Sequence, residues 1–315
     1  MAEPMLSLVA EDPAMDPPLE LALRAAASDV TVLLEGESGS GKEVFARLIH
    51  RESPRRNGPF VAVNCAALPR ELLEGELFGH VRGAFTGAYR DRKGHFQLAD
   101  GGTLLLDEIG EMSQDLQARL LRVMQDQVVQ PVGSESPLQV DVRVIAATHR
   151  NLREEMAAGR FREDLYYRMR VLPIGIPPLR DRPADVEPLA RMFARRFGGP
   201  RARISPAALR LLAGHRWPGN VRELQNTMQR AALLAGNRPI GAGLIDLDPA
   251  PAPQREEIGV ETSFSLEEAE RETIRRTLAH TRGNRSEAAQ VLGISPRTLR
   301  HKLKRYRDAG RPLPV

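Results

Sequence analysis

Residues 36–43 read GESGSGKE; they follow the apolar run VTVLLE and precede EVFARLIH, whose apolar residues recur at helical spacing. A strand, a glycine-rich turn and a helix in that order make a cradle for phosphate. Glycines let successive backbone N–H groups curl toward anionic oxygens, and the helix N-terminus adds positive potential. In this reading Gly36, Glu37, Ser38, Gly39, Ser40, Gly41 and Lys42 line the phosphates, with the Lys42 amine at the β- and γ-phosphates. Glu43 stands where such loops carry Ser or Thr, and a carboxylate there can reach Mg2+ directly or through water. A glycine-rich turn without chemistry is the alternative.

A second pair of residues favours chemistry. The run TLLLDE ends a buried strand in two adjacent carboxylates, Asp107 and Glu108. Two acids at such a place are costly unless they face a cleft that holds a cation. Asp107 is therefore expected to bind Mg2+, and Glu108 to orient or deprotonate the water that attacks a phosphoryl group. Asn64 closes the neighbouring run FVAVN and is expected to hydrogen-bond Glu108. Thr148 and His149 end the run VRVIAAT, a position from which a side chain can sense the γ-phosphate. Arg162 and Arg168, in FREDLYYRMR, suit the charge that develops on a transferring phosphoryl group. They need not face their own phosphate loop; supplied by a neighbouring subunit, they would make hydrolysis depend on assembly. Surface salt bridging is the alternative for both.

The elements that must position these residues are legible as an alternation. Apolar runs at 30–34, 60–64, 102–108 and 140–148 are separated by helical patterns, which predicts an α/β unit on a parallel sheet. From residue 185 to 235 the pattern is helical, broken at FGGP and WPGN, and residues 246–263 are rich in Pro and acids, as in a linker. The expected division is 1–172 (α/β), 173–245 (helical lid), 246–263 (linker) and 264–315 (a further helical unit). Aromatic residues are only 4% of the chain, so the cores must be aliphatic. One cysteine, Cys65, excludes an internal disulfide; inside FVAVNCAAL it reads as an inert core thiol. No apolar run approaches the roughly 18 residues of a membrane span, and the acidic N-terminus lacks a signal pattern. A cytoplasmic location is expected.

The C-terminal end reads as a DNA-binding unit. Between Arg282 and Arg311 nine basic residues face two acidic ones, in a chain whose net charge is +4. Such a segment calls for an anionic partner. SLEE (265–268) and NRSE (284–287) fit capping boxes, Gly293 marks a turn, and Ser295-Pro296 opens a last helix. Leu292, Ile294, Leu299 and Leu303 supply the contact between the last two helices, making a helix-turn-helix. On the final helix Arg297, Arg300, His301 and Lys304 share one face suited to base edges, with Thr298 beside them. Lys302, Arg305 and Arg307 lie off that face and suit phosphate.

GESGSGKE, GAFTGA (83–88), LLLDEIGEM, FREDLYYR and WPGNVRELQN, in this order, closely resemble the AAA+ core of bacterial enhancer-binding proteins, the NtrC-like activators of sigma-54 RNA polymerase. The final helices are similar to the Fis-type domain of the same activators. The resemblance implies an ATP- and Mg2+-dependent ATPase, commonly a hexameric ring, that binds enhancer DNA and remodels the closed complex of the sigma-54 RNA polymerase holoenzyme. By position it implies nucleotide binding at the 36–43 loop, Mg2+ at Asp107, catalysis at Glu108 with Asn64 as its partner, sensing at Thr148-His149 and at Arg222, and trans-acting fingers at Arg162 and Arg168. His149 stands where the family's Asn is expected. Gly83, Ala84, Phe85, Thr86, Gly87 and Ala88 become the loop that contacts sigma-54. From its composition alone that loop reads as either a mobile binding segment or a buried turn. Because the phosphate loop begins at Gly36, no N-terminal receiver domain is expected; if the chain is the complete gene product, control falls to a trans-acting negative regulator or to expression level, and a truncated reading frame is the alternative. Two rivals remain: a DNA-bound regulator that uses the fold only to oligomerise, and an AAA+ machine acting on DNA itself.

Overall fold

The computed structural model describes residues 8–85, 88–247 and 284–308, with 274–275, 277–278 and 281. The chain forms two compact units, Met1–Ala250 and Pro251–Val315.

In the first unit the strands are β1 (Val32–Glu35), β2 (Phe60–Asn64), β3 (Thr103–Asp107), β4 (Val128–Val129), β5 (Leu138–Gln139), β6 (Arg143–Thr148) and β7 (Leu172–Gly175). Five of them make one sheet in the order β2-β3-β6-β1-β7, and every pairing in it is parallel. β4 and β5 form a separate antiparallel pair. The near-continuous apolar runs are what a sheet covered on both faces demands. Alternation along β3 divides the core: Leu104 and Leu106 pack with Leu116 and Leu120 on one side, while Leu105 packs with Phe45, Ile49 and Ile145 on the other.

The sheet extends past the expected boundary at 172, because β7 pairs with β1 along Val32–Glu35. Its Pro173 lacks an N–H, which hid the strand in the sequence, and the strand lies at the sheet edge, where such a residue is tolerated. β6 begins at Arg143 rather than 140, since Val140 and Val142 are buried in the approach to the strand.

The lid packs three helices, Val186–Gly198, Pro206–Gly214 and Asn220–Ala235, around Trp217, Phe193, Leu212, Leu224 and Met228. Trp217 is fully buried, donates its indole N–H to Leu212 O at 3.0 Å and stacks its edge on His215. Trp217 and Asn220 both hold positive φ (54°), so the WPGN turn is held in a conformation that non-glycine residues resist.

In the second unit Asn284 caps the helix Arg285–Val291, accepting from Ser286 N and Glu287 N. Gly293 turns the chain at φ 64°, and Ser295 Oγ accepts from Thr298 N at 3.0 Å at the start of the helix Pro296–Asp308. Leu299 is buried with Ala288, Ala289 and Tyr306, and Leu292, Ile294 and Leu303 pack against them. Tyr306 was not anticipated as a core residue. The capping box at 265–268 lies outside the described residues.

Cys65 is buried, its N–H bonded to Asp107 O at 2.9 Å. Burial, with the nearby Asp107 and Glu108 charges, pushes its thiol well above the usual range. In the native chain Cys65 should resist a thiol-labelling reagent and react only after denaturation; rapid labelling of the folded chain would contradict this placement. Trp217→Ala should destabilise the lid by about 3–5 kcal/mol, read by circular dichroism during urea unfolding; an unchanged midpoint would show that the lid core is not built on this ring.

Candidate nucleotide site

The carboxyl ends of β1, β3 and β6 bring the chemistry to one edge of the sheet. Glu35 lies opposite Thr148, and Asn64 opposite Asp107, so the 36–43 loop, the two acids and the 148–149 pair issue from neighbouring strand ends. The loop itself needs its glycines. Gly39 and Gly41 sit at φ 76° and 108°, and a Cβ at Gly39 would come within 2.6 Å of Gly219 O in the lid. A Cβ at Gly41 would meet nothing within 4 Å, so the start of the helix Lys42–Arg51 opens onto free space. Ser40 Oγ is buried without a hydrogen-bond partner among the described residues. A loop with open space at a helix N-terminus and an unsatisfied buried hydroxyl fits a phosphate group.

Lys42 is buried and donates to Gly36 O at 2.8 Å and Glu37 O at 3.2 Å, with Glu108 Oε1 at 3.7 Å. Burial lowers the pKa of its amine, opposed by the Glu108 and Asp107 charges. Glu108 holds φ 55° and ψ 48°, a left-handed conformation that costs a non-glycine residue about 1–3 kcal/mol and is found at functional sites. Its Oε2 lies 2.6 Å from His149 Nδ1 and accepts from His149 N at 3.2 Å. Burial works against its charge, but the His149 hydrogen bonds and the Lys42 charge outweigh it, holding Glu108 below the ordinary carboxylate range. Asp107 shifts the other way, raised by burial and by the Glu108 charge.

Two expectations meet a different arrangement. Asn64 does not bond Glu108; its Oδ1 accepts from Ala66 N at 2.9 Å, turning the end of β2, and His149 takes the place at the carboxylate. Glu43 does not turn toward Asp107; its Oε1 is bound by Arg47 at 3.1 and 2.5 Å, one helical turn on. Thr148 is also engaged locally, its Oγ1 accepting from Arg150 N at 3.0 Å.

The lid grips the loop through residues that the sequence pattern did not single out. Arg180 binds Glu37 with both terminal nitrogens at 2.8 and 2.6 Å, and Asn220 Nδ2 donates to Glu37 Oε2 at 3.0 Å and Ser38 O at 3.2 Å. The buried Arg182 donates to Ser40 O at 2.5 Å, and Val221 N to Gly39 O at 3.0 Å. Arg222, which was anticipated, donates to Ser38 Oγ at 2.8 Å. Between loop and lid lies a cleft of about 620 Å³ lined by Glu37, Ser38, His149, Gly219 and Arg222 among others. The only sequence signal for Arg180 and Arg182 was their place in PPLRDR, just after the sheet.

Arg162 and Arg168 are not drawn into this cluster. Arg162 pairs with Asp164 at 2.7 Å, and Arg168 donates to Met124 O at 2.9 Å. The described residues at and around the 83–88 segment are braced by backbone hydrogen bonds. His80 and Arg92 exchange backbone hydrogen bonds at 3.0 and 2.9 Å, Val81 N donates to Val132 O, and Gly83 N reaches across to Ala88 O at 2.8 Å. Gly83 holds φ 84°. Phe85 is 38% exposed, its ring edge-on to His80 at 4.9 Å, so it is half-packed rather than a free aromatic. Ala88 is buried. Thr86 and Gly87 lie outside the described residues. On the helix Pro296–Asp308, Arg297, Thr298, Arg300, His301, Lys304 and Arg305 are exposed and Lys302 is half-buried.

The comparisons with known proteins agree with this architecture. Residues 8–175 match the Sigma-54 interaction domain, 180–257 the AAA+ ATPase lid domain, and 265–306 the bacterial regulatory proteins of the Fis family. The chain is 48% identical to the response regulator protein FleR of Pseudomonas aeruginosa, over 96% of its own length and 70% of FleR. It is 44% identical to the DNA-binding transcriptional regulator NtrC of Azospirillum brasilense, over 96% and 70%. The crystal structure of NtrX from Brucella abortus in complex with ATP superposes with a TM-score of 0.70 at 34% identity, covering 95% of this chain and 69% of NtrX, and NtrX was also solved with ADP. A strand-edge phosphate loop gripped by a helical lid, joined to a Fis-type helix-turn-helix, places the chain among the sigma-54-dependent transcription activators, AAA+ ATPases that bind DNA.

Proposed function

We propose that the chain assembles into a ring, hexameric as in its family, in the bacterial cytoplasm, and that hydrolysis at each site is completed by a neighbour. The observation that carries this reading is the geometry around Glu108. Its carboxylate is held ionised by His149 and Lys42 at the strand edge, while Arg162 and Arg168 are turned to other partners in their own subunit. Mg2+ would supply charge neutralisation on the β- and γ-phosphates, and Asp107 is the residue to hold it; a single protein carboxylate with waters and phosphates suits that ion. Glu43, tied to Arg47, contributes only its more distant charge. Lys42 exchanges the loop carbonyls for phosphate oxygens. Glu108 accepts the proton of the attacking water, with His149 orienting the carboxylate in the place expected for Asn64. Arg222 and Arg180 carry the state of the loop to the lid.

The 83–88 loop is the proposed contact with sigma-54, with Phe85 offering a compact apolar anchor and Thr86 the coupling residue. The basic face from Arg297 to Lys304 is the proposed reader of base edges in enhancer DNA, with Lys302 and Arg305 toward phosphate.

Glu108→Gln should keep ATP binding and lose most turnover; near wild-type turnover would remove Glu108 from the role. Mixing Arg168→Ala subunits with Glu108→Gln subunits should restore part of the hydrolysis, because a mixed interface can pair an intact arginine with an intact glutamate. Mixtures as inactive as the separate variants would argue against fingers acting in trans. Thr86→Ala should retain a substantial ATPase and DNA binding while abolishing open-complex formation on a sigma-54 promoter, all measured on one preparation. Wild-type transcription from this variant would take the coupling role from the loop.

A further inference from the structure

The basic character of the chain is not confined to its C-terminal end. Residues 186–245 contain ten arginines, no lysine or aspartate, and two glutamates. The 185 residues before them hold 28 acidic against 22 basic side chains, so the excess belongs to the lid and not to the whole fold. Two of the lid arginines are accounted for by the nucleotide site and its rim: Arg222 binds the loop, and Arg230 pairs with Asp246. Others gather elsewhere. A cavity of about 550 Å³ at the end of the helix Val186–Gly198 is lined by Arg191, Arg195, Arg201 and Arg203, with no acidic residue in its wall. Arg191 is neutralised by Glu187 at 2.6 Å. Arg195, Arg201 and Arg203 are exposed and have no ion-pair partner among the described residues.

The cavity is built on rigid backbone. Ala202 N donates to Gly199 O at 3.0 Å, Ile240 N to Arg203 O at 2.8 Å, and Ser205 N to Ile240 O at 2.9 Å, while Ile204 is buried beneath. Exposed guanidinium groups gathered on one turn are screened by water and counterions, and together they attract an anionic occupant that displaces those ions. Their planar forks match phosphate oxygens.

We propose that this arginine-lined groove of the lid is a second DNA contact, one that holds the phosphate backbone of duplex DNA independently of sequence. Duplex DNA is the favoured occupant because the same chain carries a Fis-type DNA-binding unit. DNA held by that unit is tethered to the lid at a high effective concentration, so a contact too weak to act alone adds to the whole. The groove offers charge and no base-reading element, so it contributes affinity and salt dependence, and sequence choice stays with the helix Pro296–Asp308.

The test uses the full chain and a random-sequence duplex of about 40 base pairs as probe, with dissociation constants measured across a salt series. Each phosphate contact adds about 0.9 to the slope of log K against log salt. In the triple variant Arg195→Gln, Arg201→Gln, Arg203→Gln the slope should fall by about two to three units, and Kd at moderate salt should rise roughly tenfold or more. The triple Lys variant should keep a slope near wild type. The same Gln changes placed in a chain already carrying Arg297→Ala and Arg300→Ala should remove a similar part of the residual binding, which separates the lid contact from the helix-turn-helix. DNA-free ATPase activity and thermal melting, measured on each variant, should match wild type. An unchanged slope in the Gln variant overturns the proposal, as does a weaker Kd with an unchanged slope. Selective loss of binding to an acidic protein probe, with DNA binding intact, would overturn it in favour of a protein partner.

Discussion

The nucleotide site depends on one close approach, backbone against backbone, at Gly39. A Cβ there would lie 2.6 Å from Gly219 O and 3.0 Å from Arg222 Cβ, so the phosphate loop and the WPGN turn of the lid can meet only because residue 39 has no side chain. Across that seam run the Val221 N to Gly39 O bond, the Asn220 and Arg180 contacts to Glu37, and the Arg182 contact to Ser40 O. The loop is also occupied from within, by Lys42 bonded to its carbonyls. A ligand that recruits the Lys42 amine and the loop N–H groups must therefore act on the lid contacts as well. Phosphate loop and lid are thus joined by direct contacts.

The second constraint is strain at the end of β3. Glu108 is held at positive φ, between the half-buried Asp107 on one side and the His149 backbone and ring on the other. The two neighbouring carboxylates are pushed in opposite directions: Asp107 upward by burial and by its neighbour's charge, Glu108 downward because its hydrogen bonds and Lys42 outweigh burial. Different titration behaviour in adjacent acids is a feature of acid–base sites. His149 holds Glu108 with both a side-chain and a backbone hydrogen bond to one oxygen.

Charge is unevenly placed along the chain. The α/β portion, which carries the phosphate loop and the 83–88 segment, is net acidic, and the basic excess lies in the lid and the final helices.

Local pattern was enough for much of this protein. The strand–glycine loop–helix order, the DE pair closing an apolar strand, the caps at Asn284 and Ser295 and the aliphatic faces of the last two helices are all set by near neighbours, through backbone geometry, capping and periodicity. The family motifs added the order of the parts. Tertiary structure decided what depends on residues far apart in the chain. It paired His149, not Asn64, with Glu108, because β6 lies beside β3 and carries residue 149 to the carboxylate. It turned Glu43 to Arg47 and packed Phe85 on His80. It made β7 an edge strand despite Pro173, since only an edge accepts the missing donor. And it brought Arg180, Arg182 and Asn220 onto a loop some 140 to 180 positions away. No periodicity encodes such contacts; they exist only once the lid has folded against the carboxyl edge of the sheet.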